Sequence, residues 1–544
     1  MTRTDSRRVV AEAVAVAAGV IVVHVLFRWS AAFLFGVYDD DGVYVALGKA
    51  IAQGAGYRSI HLVGAPLQMR YPPGLPLLLS IPWTLGGSLD AVRATVAVVN
   101  VLVTAGAAGL IWWIGRRDLN LSAVPLAVCA VSPFVLDATI QFFNLPLSEP
   151  YFTLGWAVAL ALVPRLLQDP AVGAPPLGRA LATGLVLAGT TLFRAAGIAL
   201  VPAVLGVLLW RRRWTAAAVC AAASVGPLLG WAGLRAFWAA RGPVSTFPDD
   251  LGYWQWLGAD GPAAVAMYGA RAVAANVLGY LREISSSMFS IRAVGVVVLG
   301  AAILAAASAC VRLRSIHAPL VLTALCATAL TLLWPFGQGR LVLPLLPFLG
   351  LLTASTVDVG VRNAAPGMTW GLPAMLAVVA IAVTLRQFEL RGAAARAFQS
   401  GVLPPLQDRS PTLTLAFRSR FIYQVAEWVR QHTSANDRIM IQAPAGVFLY
   451  SGRRTVSAIP SESGLGPSVF AVPGRYLSQR ILADSVTVAV WTPATVGLGR
   501  DIEAVRARCP HVLTPASPSL QPPVYYRVVR DVDCLRDLAT GPLP

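Results

Sequence analysis

Apolar runs long enough to cross a bilayer recur throughout the first 386 residues of this chain. A helical span needs ~20 apolar residues. Runs of that kind lie at residues 9–35, 90–115, 119–136, 150–168, 178–193, 195–210, 214–236, 293–311, 318–334, 340–357 and 370–386. The expected fold class is therefore a polytopic α-helical membrane protein of about eleven transmembrane helices. The least distinct division is that of 178–210 into two spans. Composition agrees, since 56% of the 544 residues are hydrophobic and only 13% are charged. A soluble domain of this length carries about twice that share of charge.

The formal net charge of +17 suggests nucleic acid until its arrangement is examined. Lys49 is the single lysine among 43 basic residues, and Ala, Gly and Pro are abundant, as in GC-rich coding sequence of actinobacterial type. The arginines gather in short loops between apolar runs: Arg3, Arg7 and Arg8, then Arg116/Arg117, Arg165/Arg179, Arg211–Arg213, Arg312/Arg314 and Arg362. This alternation is the positive-inside pattern of a multi-pass protein in the cell (plasma or inner) membrane, and it excludes a nucleic-acid partner. It places the N-terminus in the cytoplasm as an uncleaved signal anchor, and an odd number of spans places the C-terminus outside.

Three segments then fall on the outer face: 36–89, 237–292 and 387–544. In the first, Gly42–Gln53 and Gly74–Leu85 read as short helices lying along the interface. The second carries the aromatic cluster Tyr253, Trp254 and Trp256. The third alternates helical and strand patterns: helices at Arg418–His432, Arg475–Ala483 and Asp501–Arg508, strands at Arg438–Gln442, Thr455–Ile459, Ser485–Trp491 and Val524–Val529. The expected domains are thus a membrane catalytic domain, 1–386, and a small extracytoplasmic α/β domain, 387–544. Cys509 and Cys534 can pair there if the compartment is oxidising. Neither cysteines nor histidines show metal-ligand spacing, so no structural zinc site is expected.

Chemistry concentrates at the outer ends of the spans. Asp39, Asp40 and Asp41 follow the first span, and such a run serves either as a helix N-terminal boundary or as a functional carboxylate cluster. Tyr44 lies one helical turn beyond Asp41. Glu149 opens the fourth span behind Ser148, where a carboxylate also complements the helix dipole. Arg194 and Arg340 sit at outer ends against the charge bias, and an arginine held there needs an anionic partner or snorkels to a lipid headgroup. Arg70, just before Tyr71-Pro72-Pro73, is a third such cation. Guanidinium forks between carboxylates suit a phosphate.

In chain order, DDGVY (Asp40–Tyr44), AIAQGAGY ending at Tyr57, YPPGLPLLL (Tyr71–Leu79), LSEPYF, LFRAAGIALVPA and GRLVLPLLPFL together resemble the GT-C membrane glycosyltransferases. The subgroup they are most similar to contains protein O-mannosyltransferases and aminoarabinose transferases. The similarity runs through roughly residues 1–355, and each motif is degenerate alone. It implies Asp40 or Asp41 as general base and Glu149 as a second external carboxylate. It further implies that Arg194 and Arg340 hold a lipid-linked donor's phosphate. Asp39, Tyr44, Tyr57, Arg70 and Tyr71 are expected to bind substrate beside them. This chain has Asp41 where many members have Glu, Leu341 in place of the usual Tyr, and Arg194 at a turn that often holds Lys.

The expectation is an inverting transferase. It moves a sugar, mannose before arabinose, from a polyprenyl-phosphate donor to a hydroxyl on an envelope glycan, lipid or protein. No cofactor motif is present, and a divalent cation on Asp40, Asp41 and Glu149 stays open. A flippase of lipid-linked sugars and a non-catalytic glycan-binding protein are the alternatives. The first is disfavoured because the charges lie at the outer surface rather than the midplane and no internal repeat is visible.

Overall fold

The computed structural model describes residues 3–27, 34–167, 177–244, 272–281, 292–313, 317–334, 339–363, 411–441, 443–458, 473–491, 496–516 and 523–540, with isolated helical positions between 378 and 393. Among them, four helices are long and apolar enough to cross a membrane: Ser6–Phe27, Leu89–Arg117, Glu149–Leu167 and Trp214–Ala239. A bent pair, Ala123–Val135 with Asp137–Phe143, makes a fifth candidate, and six shorter apolar helices accompany them. The run at 370–386, the boundary near 386 and the aromatic cluster at Tyr253–Trp256 fall mostly or wholly outside the described residues.

Several expected spans are interrupted for local reasons. Residues 119–136 break into Ala123–Leu126, a π-turn at Ala127–Val131 and a 3-10 turn at Ser132–Val135, with Pro133 in its first turn. Proline lacks the amide that a continuous helix needs. The span expected from residue 340 begins instead with a 3-10 turn, Gly339–Leu341, and becomes helical only at Leu346–Asn363. Pro344 stands between the two pieces. An apolar helix, Ala272–Leu281, also lies in the segment read as an outer loop.

Polar side chains tie these helices together. The Leu89–Arg117 helix is capped by Ser88, whose hydroxyl accepts from Ala91 N at 3.2 Å. Its buried Asn100 donates to Phe143 O (2.9 Å) and Leu145 O (2.6 Å) and accepts from Tyr151 Oη (2.7 Å). The stretch leading into Glu149 is thereby held, because leaving those carbonyls unpaired in an apolar interior is costly. Trp156 stacks on Phe348 at 3.7 Å in the main core and donates to Thr323.

The expected interfacial helices form at Asp40–Ala52 and Gly74–Gly86. Beyond the spans, β1 (Ile439–Ile441), β2 (Thr455–Ser457), β3 (Val488–Trp491), β4 (Leu513–Pro515) and β5 (Val524–Val528) build a small sheet in the order β2-β1-β3-β5-β4. β1 is parallel to β2 and β3, whereas β5 is antiparallel to β3 and β4. Helices Pro411–His432, Arg475–Asp484 and Val496–Arg508 match the periodic pattern, and Pro444–Ser451, Val532–Thr540 and β4 are further elements that it does not predict. A Cys509–Cys534 disulfide joins the end of one helix to the start of another.

This sheet is continuous with the segment between the first two long apolar helices. Leu62 pairs in parallel with Thr455 of the edge strand β2, through Thr455 N to His61 O (2.8 Å) and Val63 N to Thr455 O (3.0 Å). Covering an edge strand this way satisfies amides that would otherwise be unpaired. Nearby, Gly36 at φ +91° packs on Gly446, and a Cβ on Gly36 would lie 2.2 Å from Gly446 Cα. Only glycine allows that approach. Phe35 N also donates to Tyr450 Oη (2.8 Å), so the loop carrying the three aspartates rests on the Pro444–Ser451 helix.

Candidate active site

The three aspartates divide their work. Asp39 has φ 65° and ψ −60°, and Asp40 N donates to Tyr38 O at 2.8 Å. That is a γ-turn of the strained hand, which costs about 1–3 kcal/mol and needs its surroundings to hold it. Asp41 supplies much of that support. Its Oδ2 accepts from Gly36 N (2.7 Å) and Val37 N (3.2 Å), and its Oδ1 from Tyr38 N (2.9 Å). The turn aims Asp40 elsewhere, onto Tyr71 Oη and the Arg340 guanidinium.

Environment separates the two carboxyls. Burial works against the charge on Asp40, but Arg340, the Tyr71 hydroxyl and Arg70 outweigh it and hold its pKa below the ordinary range. For Asp41 burial prevails over the Tyr38 and Gly36 amides and Arg340, and its pKa is pushed up to about 6.

Glu149 and two arginines complete the polar wall. Glu149 begins the Glu149–Leu167 helix and is buried. Arg194 sits in extended conformation (φ −145°, ψ 122°) between the Leu177–Phe193 helix and the Ala195–Ala199 turn. Gly197 makes that reversal possible, since a Cβ there would lie 2.7 Å from Thr191 N. Arg194 Nη1 reaches Glu149 Oε1 at 2.9 Å and Ser148 Oγ at 3.1 Å. Arg340 Nε lies 3.9 Å from the same Glu149 oxygen, so Arg340 bridges Asp40 and Glu149. Both Glu149 oxygens are buried without a directional hydrogen bond among the described residues; their compensation is ionic.

These groups face one cavity of about 380 Å³, within the range of small-ligand sites. Asp39, Asp40, Tyr44, Arg70, Tyr71, Glu149, Arg194 and Arg340 all line it. Asp41 does not, and neither does Tyr57, whose hydroxyl donates to Tyr71 O and Pro72 O, each at 3.0 Å. Apolar side chains line the cavity too, among them Leu330, Trp334 and Leu341. The Pro411–His432 helix adds Phe421, Ile422 and Val425 and one cation that sequence reading missed, Arg418. Arg418 donates to Val37 O (3.4 Å) and lies 5.4 Å from the Tyr38 ring, with no carboxylate partner among the described residues. The amphipathic pattern of that helix was legible, but not the element its apolar face meets.

Four guanidinium groups thus meet three carboxylates in the cavity, which favours an anionic ligand. A divalent cation fits poorly: Asp41 is committed to amides, and Asp40 and Glu149 to arginines. Among the described residues no group of three or more His, Cys, Asp or Glu side chains is placed to hold a metal.

No family model and no curated protein matches the chain in sequence. Solved structures do. ArnT from Cupriavidus metallidurans, bound to undecaprenyl phosphate, superposes with a TM-score of 0.53 at 15% identity, covering 98% of this chain and 99% of that one. Its apo state gives 0.53 at 16% identity over the same shares. The archaeal oligosaccharyltransferase AglB from Archaeoglobus fulgidus, in complex with an inhibitory peptide and a dolichol-phosphate, gives 0.51 at 12% identity, covering 95% of this chain and 74% of that one. The chain shares its fold with ArnT and AglB. Coverage is nearly end to end with ArnT, so the likeness takes in the small sheet as well as the apolar helices. Within this fold, the motifs around Asp40, Tyr71, Glu149, Arg194 and Arg340 come from five distant stretches and meet at one cavity.

Proposed function

We propose that this cavity transfers a sugar from a polyprenyl-phosphate donor to an acceptor hydroxyl on the outer face of the cell membrane, with inversion at the anomeric carbon. The observation that carries the reading is the bridge of Arg340 between Asp40 and Glu149, with Arg194 beside it, in a cavity that apolar side chains also line. The donor's phosphodiester seats on Arg194 and Arg340, and its isoprenoid chain lies along Leu330, Trp334 and Leu341. The residues before about 386 form the catalytic domain. The following residues form an extracytoplasmic domain whose Pro411–His432 helix roofs the cavity.

Asp40 acts as the general base and Asp41 positions it. Before donor arrives, Arg340 pins Asp40 and lowers its affinity for a proton. The donor phosphate competes for that guanidinium, so Asp40 becomes a stronger base once there is something to attack. The acceptor oxygen then forms its bond to the anomeric carbon as the carbon–oxygen bond to phosphate breaks, and the hydroxyl proton passes to Asp40. Arg194 and Arg340 stabilise the charge growing on the leaving phosphate. Glu149, with its two underused acceptor oxygens, holds Arg194 and Arg340 and meets hydroxyls of the donor sugar. Mannose is the first candidate for that sugar and arabinose the second.

Purified protein incubated with synthetic polyprenyl-phosphate mannose or arabinose and a hydroxyl acceptor tests this. Glycoside and polyprenyl phosphate should appear in equal amounts; intact donor with every sugar tried would reject it.

A further inference from the structure

Behind the acidic turn lies a second, smaller chamber of about 30 Å³, lined by Asp39, Ser59, His61, Gln68, Arg70 and Ser457, among others. Asp39, Arg70 and Tyr71 line both cavities, whereas Asp40, Arg194, Arg340 and Glu149 line only the large one. A group in the chamber therefore touches the acidic turn apart from the phosphate-binding pair. In-line displacement requires that arrangement of acceptor and leaving group.

The chamber's chemistry is specific. His61 is 2% exposed, and its Nδ1 has no hydrogen-bond partner among the described residues. Its backbone is fixed by Thr455, which donates to His61 O through both its amide and its hydroxyl at 2.8 Å, so the ring cannot easily withdraw. Gln68 is likewise held, donating to Ser59 Oγ (3.2 Å) and accepting from Arg70 N (2.7 Å). Burial pushes His61 down to about 3, so the imidazole is neutral at physiological pH. A neutral imidazole repays neither an anion nor a cation. A hydroxyl, both donor and acceptor, pairs with either tautomer. The volume admits on the order of two water-sized groups, enough for a –CH₂OH end but not a sugar ring.

We propose that this chamber is the acceptor subsite, receiving a primary alcohol whose oxygen pairs with His61 while Ser457 closes the far side. The alcohol's proton passes to the Tyr71 hydroxyl as that hydroxyl gives its own to Asp40. The proposal rests on the transfer reading above and adds to it the class of nucleophile and the residues that select it.

The test uses the full-length protein in detergent with a polyprenyl-phosphate sugar and small acceptors: ethylene glycol, propan-2-ol, a methyl hexoside and N-acetylserinamide. Wild type should glycosylate primary alcohols in preference to propan-2-ol, and the last two acceptors separate a glycan from a hydroxyamino-acid source; use of either supports the subsite. His61→Leu should raise the KM for the primary alcohol roughly 3- to 10-fold, the loss of one neutral hydrogen bond. The KM for donor should stay within a factor of about two, and His61→Gln, which keeps a donor and an acceptor, should recover part of the loss. Ser457→Val, which fills the chamber from the strand side, should raise the same KM without touching His61. A wild type that transfers, with folded His61→Leu and Ser457→Val keeping its alcohol KM, would overturn the subsite alone. A wild type that consumes no donor would overturn the transfer reading and the subsite with it.

Discussion

The Arg340 guanidinium rests on the Asp40 carboxylate, its partner from 300 residues earlier in the chain. That contact joins the segment after the first apolar helix to the turn that precedes the Leu346–Asn363 helix. It makes one residue the anchor of the donor's phosphate and the restraint on the base.

Replacing Asp40 with Asn should therefore separate chemistry from binding. We expect kcat to fall by roughly 10²- to 10⁴-fold, the usual contribution of a positioned base. Donor affinity should hold or improve, because Arg340 loses its competitor. Single-turnover rates alongside equilibrium donor binding check both halves.

Removing Arg340 should do the reverse and also destabilise the protein. Its side chain is 7% exposed and bridges two carboxylates, Asp40 being 25% exposed and Glu149 1%. Breaking a buried pair costs about 3–5 kcal/mol, and the partial exposure of Asp40 reduces this to about 2–3 kcal/mol. Arg340→Ala should lower the midpoint of thermal unfolding and weaken donor binding. Arg340→Lys should restore part of the stability and less of the affinity, since lysine lacks the fork.

Acidification should slow the enzyme without lowering its overall stability. Burial raises Asp41 from the ordinary 3.8 to about 6. Between those values the folded chain binds more protons than the unfolded one. The stability this group contributes is therefore full below 3.8 and lost as pH rises through 6. Protonation nevertheless removes the charge on which three backbone amides converge, and the turn that aims Asp40 should relax. A rate profile falling below pH ~6 with no matching drop in melting temperature is expected. The residual activity of Asp41→Asn should lack that limb; an unchanged limb would assign it elsewhere.

The C-terminal domain should prove necessary for the geometry of the site. A Cβ on Gly446 would lie 3.2 Å from both Gly36 Cα and Gly36 O, so Gly446→Val must push the acidic turn off its seat. Activity should fall at least about tenfold while the Cys509–Cys534 disulfide still forms, since the substitution lies outside that core. Mass spectrometry of the disulfide beside a transfer assay measures both.

Much of this was legible in the chain. The apolar periodicity located the helices, because burial or lipid contact must satisfy their faces. Charges stranded at the ends of apolar runs marked Glu149, Arg194 and Arg340, because such charges need partners. What sequence alone left open was direction. Asp40 and Asp41 are adjacent and chemically alike, and only the γ-turn at Asp39 sends one to the cavity and the other to the amides. Tyr57 was expected at the substrate and instead braces the carbonyls of Tyr71 and Pro72. Arg418 and His61 were missed because their significance depends on contacts between the segment after the first apolar helix and the C-terminal elements, which no local pattern encodes.

The most direct test is quantitative transfer by purified wild type and Asp40→Asn from one polyprenyl-phosphate sugar, reading glycoside and released polyprenyl phosphate together. The account predicts equal amounts of both from the wild type, with inverted anomeric configuration, and bound but unconsumed donor in the variant. Equal turnover by the two proteins, or retention of configuration, would contradict it.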